Sequence, residues 1–163
     1  EFMPNHPDVD TFPPPFTLWY AESLLAVYDL TGDRRYLEAA RRTVMRYLEA
    51  QRSDGTIYYK NYLNGEADRS SICGSAVSFT GLLLLRLLEH DAVDDSYRER
   101  VDRCAEWVLR NRYAADHPDP NLRGAFMNIR LRHRKGKHWL VNRDVGTAFG
   151  LRFLAAYHDY LTR

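Results

Sequence analysis

The sequence predicts an all-α fold: about five helices, arranged as hairpins in a curved double layer, with a small β-hairpin near residues 126–142. Three observations carry that expectation. Apolar residues recur at helical spacing through most of the 163 residues. The helices alternate in character, the odd ones apolar nearly all round and the even ones amphipathic with Arg/Glu outer faces. Connections within each hairpin are short, whereas connections between hairpins are long.

The chain is one domain's worth, long enough to bury a core. With 45% hydrophobic and 28% charged residues it has an ordinary globular composition, and its net charge of +1 implies no polyelectrolyte partner. Residues 1–16 hold five prolines without periodicity and read as an extended arm, with a polyproline element at Pro13–Pro15. Residues 17–163 read as a single helical-hairpin domain.

The first helix is expected from about Thr17 to Leu30, with Leu18, Ala21, Leu25 and Tyr28 on one apolar face. Thr31-Gly32-Asp33 breaks it, Gly32 suiting a helix end and Asp33 capping the next helix. That second helix, about Asp33 to Gln51, turns Tyr36, Leu37, Ala40, Val44, Tyr47 and Leu48 inward. A long connection follows, with turns at Asp54-Gly55 and Asn64-Gly65.

The third helix, Ser71 to His90, is the centre of the pattern. Small residues fill its first half, and Leu82 to Leu85 fill its second. Its length suits a membrane span, but Ser70, Ser71, Ser75, Ser78, Thr80, Arg86 and Glu89 dilute it, so a buried central helix is expected. The fourth helix, about Asp95 to Tyr113, turns Tyr97, Val101, Cys104, Ala105, Val108 and Leu109 inward. Alternation from Phe126 to His133, a turn at Lys135-Gly136, and Trp139 with Val141 returning give the β-hairpin. The fifth helix, about Asp144 to Tyr160, has Asp144 as its expected cap and is apolar on most sides.

All the long connections enter the N-termini of the odd helices, so their residues collect at one end of the layer. Two stretches there, LWYAESLLAVYDLTGDRRYLEAARRTVMRYLEAQRSDGTIYY and RDVGTAFGLRFLAAY, resemble the α/α-toroid superfamily of six-hairpin glycosidases, polysaccharide lyases and sugar epimerases. The shared style is an inner helix with Trp and Glu, a TGD turn, YLEAA opening the outer helix, and a DG loop. Such toroids hold about six hairpins and this chain two and a half, so the resemblance implies an incomplete toroid. It implies a fragment, a truncated domain, or a chain completed by the remainder of the toroid or by a homo-oligomeric partner. No catalytic signature of one reaction is present, so no role is carried over from the family.

Candidate chemistry is therefore read from residue types. Glu66, Asp68 and Glu22 are the candidate acid/base carboxylates. Against this, Asp68 or Ser70 suits a helix cap, Arg69 suits a pair with Glu66, and Glu22 suits an ordinary salt bridge. Trp19, Tyr20, Tyr58, Tyr59, Tyr62 and Trp139 are candidate sugar-stacking aromatics, with Arg69, Arg143 and Asp144 as polar substrate contacts. Arg130 to Arg143 holds six Lys/Arg and no acid, which reads as an anion contact or as a charged hairpin protected from aggregation.

No metal or other cofactor is expected. None of the six histidines has i,i+4 ligand spacing, and no Gly-rich phosphate loop or nucleophile elbow occurs. Cys73 and Cys104 read as buried free thiols. They fit a cytoplasmic location, although Glu1 and Phe2 before Met3 read as cloning residues and leave a removed leader open. The expected function is part of a carbohydrate-active enzyme acting on an oligo- or polysaccharide, an acidic one included, by general acid/base chemistry. The alternative is a non-catalytic helical module that binds a protein or glycan partner. Neither nucleic acid nor membrane is an expected partner.

Overall fold

The computed structural model describes residues 11–12, 14–62, 64, 66–132, 136–141 and 144–163. Five α-helices dominate them: α1 (Pro14–Thr31), α2 (Arg34–Ala50), α3 (Gly74–Glu89), α4 (Arg98–Arg110) and α5 (Asp144–Leu161). Five short strands accompany them: β1 (Thr11–Phe12), β2 (Asn61–Tyr62), β3 (Ile72–Cys73), β4 (Ile129–Arg132) and β5 (His138–Val141).

The first hairpin forms as its turn chemistry dictates. Gly32 adopts φ +69° and its N–H donates to the Tyr28 carbonyl at 2.7 Å, ending α1. Asp33 then caps α2, its carboxylate accepting from the Arg35 N–H at 3.0 Å. α1 itself starts at Pro14 rather than Thr17, so Pro14 and Pro15 lie in its first turn and not in a polyproline element. The first helical turn has no N–H partners to lose, which is why it accepts proline. Ahead of the helix, β1 pairs antiparallel with β2, Thr11 opposite Tyr62.

α3 packs against each of the other four helices. All of its residues except Arg86 and Glu89 are buried, as an all-round apolar helix requires. Its start is later than the sequence suggests. Ile72 and Cys73 are extended and join β4, Ile72 opposite Arg130, so β3, β4 and β5 form one antiparallel sheet. The expected hairpin is the β4–β5 pair, with Leu131 opposite Trp139. Neither Asp68 nor Ser70 caps α3: Cys73 holds that position and offers no side-chain cap bond.

The outer helices bury narrow stripes. α2 buries Leu37, Ala40, Val44, Tyr47 and Leu48. In α4 the inward face is Val101, Cys104, Ala105, Trp107 and Val108. Leu109, expected inside, is exposed, and Trp107 takes its place because its indole N–H donates to Thr56 Oγ1 at 2.9 Å. α5 buries only Gly146, Gly150 and Phe153, and Leu151 is 58% exposed. α5 is thus an edge of the layer, with α3 on one side. None of the described helices is long and apolar enough to cross a membrane.

Close approach around α3 fixes the register of this core. A Cβ on Gly74 would lie 1.9 Å from the Met127 carbonyl oxygen, and one on Gly81 2.4 Å from Cζ of Phe153. The Gly74 obstacle is backbone and cannot rotate away. Gly74→Ala is therefore expected to destabilise the fold by about 1–3 kcal/mol, read as a lower urea midpoint with the slope unchanged.

Candidate functional site

The loop end of the layer is built from three connections held by backbone bonds. The Asp54-Gly55 turn closes through Gly55 N–H to the Arg52 carbonyl at 3.0 Å, and Gly55 sits where a Cβ would meet the Arg103 carbonyl at 2.7 Å. The Cys73 N–H donates to the Ile57 carbonyl at 3.0 Å, tying that turn to the entry of α3. Residues 125–128 then wedge between the N-termini of α3 and α5: the Gly74 N–H donates to the Asn128 carbonyl, and Gly146 and Gly150 face Asn128 and Phe126.

Around this frame the candidate residues divide into separate groups. Glu22 on α1 forms an ion pair with Arg152 on α5. One turn earlier Trp19 lies 6.4 Å from Phe149, which in turn lies 4.4 Å from buried Phe79 of α3. Trp19 keeps 39% of its surface exposed, enough for one ring face to meet a ligand. Tyr20 beside it is more exposed still.

Glu66 occupies a different place. It is exposed and, with Asn61 and Tyr62, lines a small cavity of about 80 Å³ against Arg46, Tyr47 and Glu49 of α2. Asp68 forms a local turn instead, its Oδ1 accepting from the Ser70 N–H at 2.9 Å and the Ser70 hydroxyl at 2.6 Å. Among the described residues, no ion pair joins Glu66 to Arg69. Tyr58 is 7% exposed and its hydroxyl accepts from Arg52 at 2.6 Å, so its ring is not presented to a ligand. Tyr59 is half-buried against the core. Trp139 on β5 is 58% exposed. Asp144 is the first residue of α5 rather than the residue before it, and faces a shallow pocket with Asn121, Arg123 and Thr147. Arg143 lies outside the described residues.

Both thiols are free and buried. Burial pushes Cys73 up to about 11 and Cys104 to about 12, so neither is a nucleophile at neutral pH. Among the described residues no group of three or more His, Cys, Asp and Glu is placed to hold a metal ion. Sequence reasoning passed over Arg152, which reads as one more surface arginine until the fold sets it against Glu22. It also passed over Arg130 as an individual residue, since the facing of a strand at Ile72 was not visible.

The assembled helices and loops correspond to part of an α/α toroid. No protein-family model matches the sequence, and no curated protein matches it by sequence. Solved structures do match. A family 76 glycoside hydrolase from a bovine Bacteroides thetaiotaomicron strain superposes with a TM-score of 0.72 at 15% identity, over 94% of this chain and 32% of that one. An α-1,6-mannanase of Salegentibacter sp. HEL1_6, an inactive variant holding α-1,6-mannotriose, gives 0.68 at 16% identity, over 93% and 42%. The unsaturated glucuronyl hydrolase of Bacillus sp. GL1 gives 0.60 at 18% identity, over 88% and 38%. This chain spans about a third to two fifths of the length of these neighbours, and identities at this level establish the fold alone.

Two consequences are measurable. The native protein should not react with a thiol reagent at neutral pH, and two thiols should react on unfolding. Since the folded state holds both thiols protonated, to about 11 and about 12, the unfolded chain loses these protons first. That contribution to stability is complete below pH ~9 and fades as pH rises through the folded values, which denaturant midpoints from pH 8 to 11 would show.

Proposed function

We propose that the chain is part of a carbohydrate-active enzyme that acts on an oligo- or polysaccharide by general acid/base chemistry. The observation that carries the reading is the group formed by Trp19, Glu22, Phe149 and Arg152. It places a half-exposed indole, a carboxylate and a guanidinium together across two inner helices of an α/α toroid. An indole face stacks on the C–H face of a sugar, and the ion pair holds the carboxylate in one orientation. Trp19, Tyr20 and Trp139 supply stacking surfaces, and Glu22, Glu66 and Asp68 are the candidate proton-transfer groups. Arg143 and Asp144 would orient polar groups of the substrate. The neighbours whose names specify an activity are glycoside hydrolases, one of them holding a mannotriose, which supports a saccharide ligand by analogy of fold.

A second reading rests on a separate observation. α5 leaves Val145, Ala148, Leu151 and Ala155 exposed at helical spacing, and α1 leaves Leu30 exposed, so both edges of the layer carry apolar surface. A non-catalytic module completing a larger assembly would use such edges. Two unpaired buried thiols agree with a reducing, cytoplasmic setting for either reading.

Turnover of an oligosaccharide panel by Glu22→Gln, Glu66→Gln and Asp68→Asn separates the two. The catalytic reading expects a fall of about a hundredfold or more in at least one variant. Unchanged turnover in all three removes the catalytic assignment. Trp19→Ala is expected to weaken saccharide binding about fivefold, by calorimetric titration.

A further inference from the structure

Another pocket, lined by no member of the Trp19–Glu22 group, has a lining dominated by arginine. It has a volume of about 210 Å³ and is bounded by Arg52, Tyr58, Arg69 and Arg130, with Ile72 beneath them. Ile72 and Arg130 are directly opposite in the β3–β4 pair, so their side chains share one face of the sheet. Asp54 is the carboxylate among the described lining residues, set against three guanidiniums.

The obvious alternative is that these arginines neutralise the fold's own groups. For Arg52 that holds: its Nη1 donates to the Tyr58 hydroxyl at 2.6 Å, and its Nε lies 3.6 Å from Asp54. Asp54 is further engaged by the Thr56 N–H at 3.0 Å, and its carbonyl accepts from Arg110 at 2.8 Å. Arg69 and Arg130 are different. Neither forms an ion pair with a described residue, and Arg130 Nε is buried without a hydrogen-bond partner. A buried guanidinium N–H without an acceptor is unfavourable, so the fold's own groups do not satisfy Arg130 fully, and its terminal nitrogens remain the donors available to a ligand.

The walls are also fixed before any ligand arrives. Trp107 holds Thr56, the Cys73 N–H holds the Ile57 carbonyl, and Gly55 is pressed on α4. Guanidiniums set on such a frame match a planar or tetrahedral oxyanion, which they can grip through paired N–H donors.

We infer that this pocket binds an oxyanion carried by a sugar, a carboxylate or sulfate group on the saccharide chain, with Arg69 and Arg130 as its direct contacts. The inference rests on the saccharide reading above and specifies the ligand as acidic. Arg52 acts through Tyr58, positioning the wall rather than gripping the anion.

Calorimetric titration of the full chain with glucuronate, glucose, sodium sulfate and a neutral oligosaccharide tests it. Glucuronate should bind about tenfold or more tightly than glucose, and Arg69→Gln and Arg130→Gln should each remove about tenfold of that affinity. Arg69 is exposed, so Arg69→Gln folds even where Arg130→Gln does not, and circular dichroism confirms the fold of each. Equal affinity for glucuronate and glucose, or glucuronate binding untouched by Arg69→Gln, overturns the anion pocket. Sulfate bound as well as glucuronate overturns its sugar-borne source. Neutral oligosaccharide bound at the same time leaves the saccharide reading standing, so the two failures are distinguishable.

Discussion

The close approach of α3 to residues 126–128, just ahead of β4, is the constraint on which the loop end depends. Gly74 meets the Met127 carbonyl where a methyl group has no room, and its N–H bonds the Asn128 carbonyl. Gly146 and Gly150 accept Asn128 and Phe126 in the same way from α5. Three glycines on two helices therefore grip one segment, since an added Cβ would meet the Met127 carbonyl, the Asn128 side chain or the Phe126 ring. Once that segment is fixed, β4 follows directly, Ile72 pairs with Arg130, and the entry to α3 becomes a strand instead of a helical turn. Further along the same helix, Gly81 takes the Phe153 ring.

Electrostatics of the two candidate sites differ in kind. Glu22 and Arg152 balance one another across α1 and α5, and as a partly exposed pair they contribute little to stability, on the order of 0–1 kcal/mol. Their significance is positional, since they hold a carboxylate beside an exposed indole. The pocket over Ile72 is unbalanced, with Arg69 and Arg130 lacking acidic partners among the described residues. A fold does not retain an unpaired guanidinium N–H for stability, because burying it without an acceptor is unfavourable.

The apolar edges belong to the same logic. α3 packs against the other four helices and buries all of its residues except Arg86 and Glu89. α1 and α5 have α3 on one side, and the residues turned away from it, Leu30, Val145 and Leu151 among them, remain exposed. Neighbouring folds of this type run to more than twice the length matched here.

Helix positions, their inner or outer character and the central place of α3 were legible in the sequence. Those depend on local rules: apolar spacing, the Gly32 stop and the Asp33 cap. The start of α3, the inward turn of Trp107 and the face of α5 were not legible, because each was decided by a partner distant in the chain: Arg130, Thr56 and α3. The candidate site divides along the same line. Sequence alone marked Glu22 as a candidate carboxylate and Trp19 as a candidate stacking aromatic. Only the tertiary structure set Arg152 against one and Phe149 beside the other, kept Glu66 and Asp68 in separate places, and gathered Arg69 and Arg130 over Ile72. Residue type and spacing determine what an element is, while packing of distant segments decides which side chains meet.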